Sequence, residues 1–358
     1  MTSGSDYDIF LLLGVELSAA AAGTGSAAVT ALGALMSASV TRVSSVLFIT
    51  ISGELQMDIS FCEKNKNICL LCPRKCGVDR TNIKGYCGAD SSIRVARASL
   101  HMWEEPPISG KNGSGTIFFS GCSLKCCFCQ NYRISAENFG KDISPSDLQH
   151  IMLRLQADGA HNINLVTPTH YADKIADVLR DTRSRLTIPV IYNTSGYECN
   201  ETLNMMSGLV DIYMPDLKYF SPALSEKYSH AKNYFLFASE AVKKMHRQVG
   251  NPVFDKNGLL KSGLMIRHMI LPGAYKDSLA LLDWLRDTFS NDSIILNLMC
   301  QYTPYYKSSE YKEIDRRLTT YEYEKVTDYA AKLGFKGFCQ QKSSASQQYI
   351  PDFDLSGI

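Results

Sequence analysis

From Gly115 onward the chain alternates short apolar runs, rich in β-branched and aromatic residues, with longer stretches of helical periodicity. The runs predict strands at Thr116 to Ser120, Ile163 to Thr167, Pro189 to Asn193, Asp211 to Asp216, Leu264 to Leu271 and Ile294 to Met299. Between them, helices are predicted at Ser144 to Ala157, opened by Ser144-Pro145, at Tyr171 to Arg183, at Glu198 to Ser207, at Pro222 to Val249 with a break, and at Lys276 to Phe289. A last helix, Tyr321 to Leu333, stops at Gly334. Six strand-helix units in succession predict an α/β protein, a partial parallel (βα)6 TIM-like barrel. In such folds chemistry sits where strands end and loops begin.

The upstream pattern is different. Residues 1–56 carry five charges (Asp6, Asp8, Glu16, Arg42, Glu54) and a low-complexity run of Ala, Gly, Ser and Thr. The uncharged span Leu17 to Thr41 has the length of a membrane crossing, but its composition is weakly apolar, and Asp6 and Asp8 replace the basic flank of a secretory signal. Three readings stay open: a non-native extension ahead of Met57, a native flexible segment, or a membrane anchor. No membrane partner is expected, and a chain beginning at Met57 is expected to keep its activity. Three regions follow: 1–56, the low-complexity extension; 57–114, a cysteine-rich N-terminal segment; and 115–358, the barrel.

Charge narrows the function. With 37 Lys and Arg against 36 Asp and Glu, a net charge of +1, the 358-residue chain has no polyanion footprint, and no nucleic-acid partner is expected. Cysteine usage narrows it further: nine of the twelve cysteines (Cys62, Cys69, Cys72, Cys76, Cys87, Cys122, Cys126, Cys127 and Cys129) fall within one short stretch. A chain long enough to bury a core has little need of a disulfide framework, so thiolate-bound metal in a reducing, cytoplasmic setting is the better reading.

Cys122, Cys126 and Cys129 form a C-x3-C-x2-C loop directly after the first strand. Three thiolates on one tight loop suit a cubane iron-sulfur cluster with one iron left open, whereas tetrahedral zinc wants a fourth ligand. Cys127 falls out of register and reads as a bystander. With Phe128 as the aromatic, the C-x3-C-x-aromatic-C motif resembles the signature of the radical S-adenosylmethionine (AdoMet) superfamily. The segments NINLVTPTHY, VIYNTSGYE, IYMPDLKYF, GLMIRHMILPG and SASQQYIPDFD resemble a branch related to pyruvate formate-lyase activating enzymes.

The resemblance implies a partial barrel and a 4Fe-4S cluster on Cys122, Cys126 and Cys129. AdoMet would bind the open iron and be reductively cleaved to a 5'-deoxyadenosyl radical that abstracts hydrogen. It implies cofactor contacts from Phe128, from Thr167 and Thr169, which flank Pro168 where most relatives carry Gly-Gly-Glu, and from Asn193, Ser195, Asp216, Lys218, Arg267 and His268. It also implies a one-electron donor such as flavodoxin or ferredoxin. A polypeptide substrate, a glycine of a partner protein, would suit the branch, and six tyrosines at 302, 305, 306, 311, 321 and 323 suggest a contact surface for it. A small-molecule substrate is the rival, because Gln130 to Glu198 lacks the extra cysteines that glycyl-radical activators often carry.

Upstream, Cys69, Cys72, Cys76 and Cys87 (C-x2-C-x3-C-x10-C) suit a second site, either zinc or iron-sulfur. Two further readings stand beside the enzyme: an iron-sulfur electron carrier, disfavoured because carriers close all four iron corners, and a zinc-bearing module, disfavoured by the neutral charge.

Overall fold

The computed structural model describes residues 7–10, 68–340 and 351–358; the low-complexity extension from residue 11 on, Cys62 and most of SASQQYIPDFD lie outside the described residues. Among the described residues there are eleven strands: β1 (Tyr7–Phe10), β2 (Ile93–His101), β3 (Ser114–Phe119), β4 (Lys141–Ile143), β5 (Ile163–Val166), β6 (Val190–Thr194), β7 (Ile212–Pro215), β8 (Val253–Phe254), β9 (Leu260–Met269), β10 (Ile295–Met299) and β11 (Gly337–Gln340). They form one sheet in the order β4-β2-β3-β5-β6-β7-β9-β10-β11-β1, with β8 pairing on β9. From β3 to β11 every pairing along this order is parallel. The path does not return on itself, so the barrel is partial.

The six predicted parallel strands are all present, and β11 adds a seventh. Two antiparallel additions cover the flank: β2 pairs with β3, and β4 with β2. The crossover helices follow the periodicity closely. Pro145–Ala157 opens on a capping box in which Ser144 and Asp147 bond each other's backbone N–H groups. The predicted break in Pro222 to Val249 falls between Pro222–Ser229 and Tyr234–Val249, where His230 takes a left-handed conformation and ends the first helix. Gly334, also left-handed, ends Thr320–Leu333.

Side chains alternate across the strands. Tyr192, Tyr213, Leu264, Ile266, Leu296 and Leu298 belong to the large core beneath the helices. Ile191, Ile212, Met214, Met265 and Ile295 face the other way and form a separate apolar cluster inside the barrel. Ile108, fully buried, joins this inner cluster from the short helix Pro106–Ser109. Because β2 runs antiparallel to β3, its end delivers residues 102–110 to the N-terminal ends of the barrel strands. There the segment plugs the barrel floor, with Asn162 Nδ2 donating to the Ile108 carbonyl.

Candidate active site

The loop after β3 turns at Gly121, whose φ of +96° and close approach to the Cys87 carbonyl leave no room for a side chain. Cys122, Cys126 and Cys129 then line one cavity of about 260 Å³ at the C-terminal ends of the strands. Polar hydrogens surround their sulfurs: Ser229 Oγ donates to Cys126 Sγ at 2.9 Å, Ser135 Oγ to Cys129 Sγ at 3.2 Å, and the Leu124 N–H to Cys122 Sγ at 3.4 Å. Burial pushes the Cys126 thiol up and the Cys129 thiol to about 12, so a bound cation is needed to hold them as thiolates. Phe128 is buried, edge-on to Tyr302 and Tyr228, and lines the same cavity. Cys127 packs in the apolar core and does not line it.

Across the cavity, residues of β6, β9 and the segment that follows β7 form a charged network. Arg267 donates from Nε to Asp216 Oδ1 at 2.9 Å and from Nη2 to Asn193 Oδ1 at 2.8 Å, and Lys218 Nζ donates to Asp216 Oδ2 at 2.7 Å. Burial alone would raise the Asp216 pKa; Arg267 and Lys218 outweigh it and hold the carboxyl below the usual carboxylate range. Ser195 and Thr167 also line the cavity. Thr167 is a β-branched residue at φ +59°, a costly conformation for that residue type, at the end of β5. Its N–H is already committed to the Asn193 carbonyl at 2.8 Å.

Two of the expected contacts do not reach this cavity. His268 alternates with Arg267 along β9 and points outward, bonded to the Leu217 carbonyl at 2.7 Å and Ser278 Oγ at 2.8 Å; burial lowers its pKa to about 4 and keeps it neutral. Thr169 turns away and donates to buried Glu198 at 2.5 Å. The tyrosine cluster is divided. Tyr302 and Tyr323 are core residues, Tyr306 stacks on Tyr132, and none of the six lines the cavity.

The structure also brings in residues absent from the sequence reading. Glu104 and Glu105 rise from the floor plug into the cavity, Glu104 accepting from Asn164 Nδ2 at 3.0 Å and pairing with Arg267 at 3.5 Å, Glu105 accepting from Asn297 Nδ2. Trp103, Gln130, Gln301 and Pro351 also line it.

The upstream segment packs directly against the cysteine loop. The Cys122 N–H donates to the Cys87 carbonyl at 3.2 Å, and Arg74 donates to the carbonyls of Ser123, His230 and Ser229. Cys69, Cys72 and Cys87 are buried and Cys76 half-buried, with the Cys76 and Cys87 sulfurs both beside Gly85. Among the described residues, no three His, Cys, Asp or Glu side chains stand close enough together to hold a single metal ion.

This donor set fits an iron-sulfur cubane on the three-cysteine loop, with hydroxyl and amide hydrogens on its ligand sulfurs and a cavity carrying both signs of charge for a zwitterionic ligand. A family profile for the radical SAM superfamily matches residues 116–285. The uncharacterized protein MJ0674 of Methanocaldococcus jannaschii is 32% identical over 281 residues, 75% of this chain and 76% of its own length. Among solved structures, Streptococcus suis SuiB bound to precursor peptide SuiA aligns with a TM-score of 0.42 at 14% identity, over 60% of this chain and 46% of SuiB. The chain therefore spans less than half of SuiB. A domain of pyruvate-formate lyase-activating enzyme from Bacteroides vulgatus aligns with a TM-score of 0.34 at 12% identity, over 47% of this chain and 91% of that domain. The profile match, begun on the strand that leads into the three-cysteine loop, places the chain in the radical SAM superfamily, whose cofactors are a 4Fe-4S cluster and AdoMet.

Proposed function

We propose that the chain is a radical AdoMet enzyme that abstracts hydrogen from a substrate admitted to this cavity. The observation that carries the reading is that Cys122, Cys126 and Cys129 open onto the same cavity as Asp216, Lys218, Arg267 and Asn193. When bound, the cluster and AdoMet supply, on one-electron reduction, a carbon-centred radical able to take a hydrogen atom.

The chain's own residues do the rest. The three thiolates hold the cluster, and Phe128 walls it from the side of Tyr302 and Tyr228. Asn193, Ser195, Asp216, Lys218 and Arg267 orient the ligand through fixed dipoles and charges that need no reorganisation. At Thr167–Pro168 no backbone N–H is free, since one is bonded and the other missing; that turn offers acceptors, the right partners for an ammonium group. The plug and the apolar inner cluster keep water from entering through the floor.

The test is anaerobic reconstitution, reduction and assay for 5'-deoxyadenosine. Cys126→Ala is expected to lose both the cluster's visible absorbance and AdoMet cleavage; full cleavage by that variant sinks the reading. A glycine of a partner polypeptide is the proposed substrate, delivered with an electron from flavodoxin or ferredoxin in the cytoplasm. A glycine-centred radical seen by electron paramagnetic resonance in a candidate partner supports it. Turnover stimulated only by small metabolites supports the second reading, which the tyrosines' absence from the cavity lining favours. Cys69, Cys72, Cys76 and Cys87 are proposed, on their spacing in the sequence, to hold a second site, zinc or iron-sulfur, for which the thiols would have to close up from the positions they take here.

A further inference from the structure

The ionisable side chains lining the cavity do not balance in number. Three acids, Glu104, Glu105 and Asp216, face two permanent cations, Lys218 and Arg267; burial raises the pKa of both glutamates and lowers that of His101 to about 4. The cations are also unevenly placed. Both hold Asp216, Arg267 alone reaches Glu104, and neither contacts Glu105.

Glu105 is 2% exposed, and its Oε2 has no hydrogen-bond partner. Beside it, Asn297 spends its Nδ2 on Glu105 Oε1 and leaves its own buried Oδ1 without a partner; Asn164 does the same beside Glu104. Three buried oxygens without a hydrogen-bond partner therefore gather on the barrel floor, and of the three only that of Glu105 belongs to a residue lining the cavity. A buried acceptor left unmatched is costly. What would satisfy it is a ligand group that is positively charged and carries several N–H donors.

Resting on the radical AdoMet reading above, we infer that Glu105 receives a cationic nitrogen group of the substrate, an ammonium or guanidinium. The plug is then the specificity element. It meets the substrate's basic end at the floor while the three-cysteine loop stands at the opposite, C-terminal end of the strands. The shared chemistry could be carried by a lysine or arginine side chain of a polypeptide or by a small free amine.

The test uses the full chain with its cluster reconstituted and AdoMet present. Butylguanidinium and butylammonium are titrated calorimetrically beside their uncharged counterparts, butylurea and butanol. Each cation is expected to bind about tenfold or more tighter than its neutral partner, the usual worth of a hydrogen bond to a charged group. That preference should vanish in Glu105→Gln. Equal affinity for charged and neutral probes in the wild type overturns the inference, whether or not the variant folds. So does a cation preference that survives in folded Glu105→Gln, which would mean that Glu105 is simply a protonated, self-contained acid. Gly-Lys-Gly run beside butylammonium separates the two sources, since binding confined to the tripeptide points to a side chain. Deoxyadenosine formation in the same preparation reads the parent proposal independently: cleavage without cation preference defeats the floor site alone, and absence of cleavage defeats the parent reading.

Discussion

Glu198 sits 1% exposed behind the cavity wall, where hydroxyls of Thr169, Thr194 and Tyr192 converge on its carboxylate. Burial raises its pKa from 4.5 to about 7, the three hydroxyls only partly offsetting the effect. Its contribution to stability follows from that direction. Between these two values the folded carboxyl keeps its proton while the unfolded chain has lost it. Stability therefore falls as pH rises through that window, by about 3 kcal/mol in all, and stays reduced above pH 7. Glu198→Gln should flatten this part of the profile. Urea midpoints from pH 5 to 8 check it, and parallel wild-type and variant profiles would refute the assignment. The contrast with Asp216 is one of partners. Glu198 is buried and Asp216 half-buried, but only Asp216 has two cations in contact, and they hold its carboxyl below the usual range.

Among the elements, β11 is the most tightly constrained by a single residue. A Cβ on Gly337 would lie 1.7 Å from the Leu296 carbonyl oxygen, so Gly337→Ala must break the β10–β11 register. A loss of about 3 kcal/mol or more is expected, with thermal unfolding as the measurement. The helix Pro145–Ala157 offers a milder case. Ser144→Ala removes the hydroxyl that caps the Asp147 N–H, leaving the Asp147 carboxylate on the Ser144 N–H, and should cost about 1 kcal/mol by denaturant midpoint. These elements also show what the sequence can disclose. Helices with caps and apolar faces, and strands such as Ile212–Pro215 with continuous apolar runs, carry their own signals. The strand GFCQ of β11 has too few apolar residues to stand out, and its place is set by its neighbour β10. Arg267 and His268 expose a deeper limit. A parallel strand is covered on both faces, so nothing in its composition says which parity faces the barrel interior. Glu104 and Glu105 were illegible for another reason: an acid pair before Pro-Pro reads as a solvated turn until the antiparallel β2 carries it under the barrel.

At the scale of the whole molecule, the upstream cysteines and the barrel act as one body through Arg74, the Cys87 carbonyl and the hydroxyl of Thr202, which donates to the Leu71 carbonyl at 2.6 Å. With a second metal held there, Cys72→Ser should lower the melting temperature and the metal content while leaving the barrel cluster's absorbance in place. Unchanged metal content would count against that site. The N-terminal extension makes a separate contact: β1 pairs antiparallel with β11 over four residues. A chain starting at Met57 should retain AdoMet cleavage, because the residues assigned to the cavity all lie downstream. Its β11 amides, stripped of a partner strand, should exchange hydrogen faster. Slow exchange at β11 in the shortened chain would contradict the pairing. Among the described residues no helix is long and apolar enough to cross a membrane.

Pro351 lines the cavity, and the segment that carries it is stitched to β2 and β3: Phe353 packs on Phe118 of β3, Arg97 of β2 holds Asp354, and the Ala98 N–H donates to the Ser356 carbonyl. The Arg97–Asp354 contact spans 257 positions of chain. Contacts so distant in sequence are the slowest to form, since the intervening loop must close first. One wall of the cavity is thus a late event in folding, and until it arrives the three thiols of the cysteine loop stand open on that side. With the proposed cluster on those thiols, acquisition of iron and sulfide and damage by oxygen would compete within the same interval of the chain's maturation.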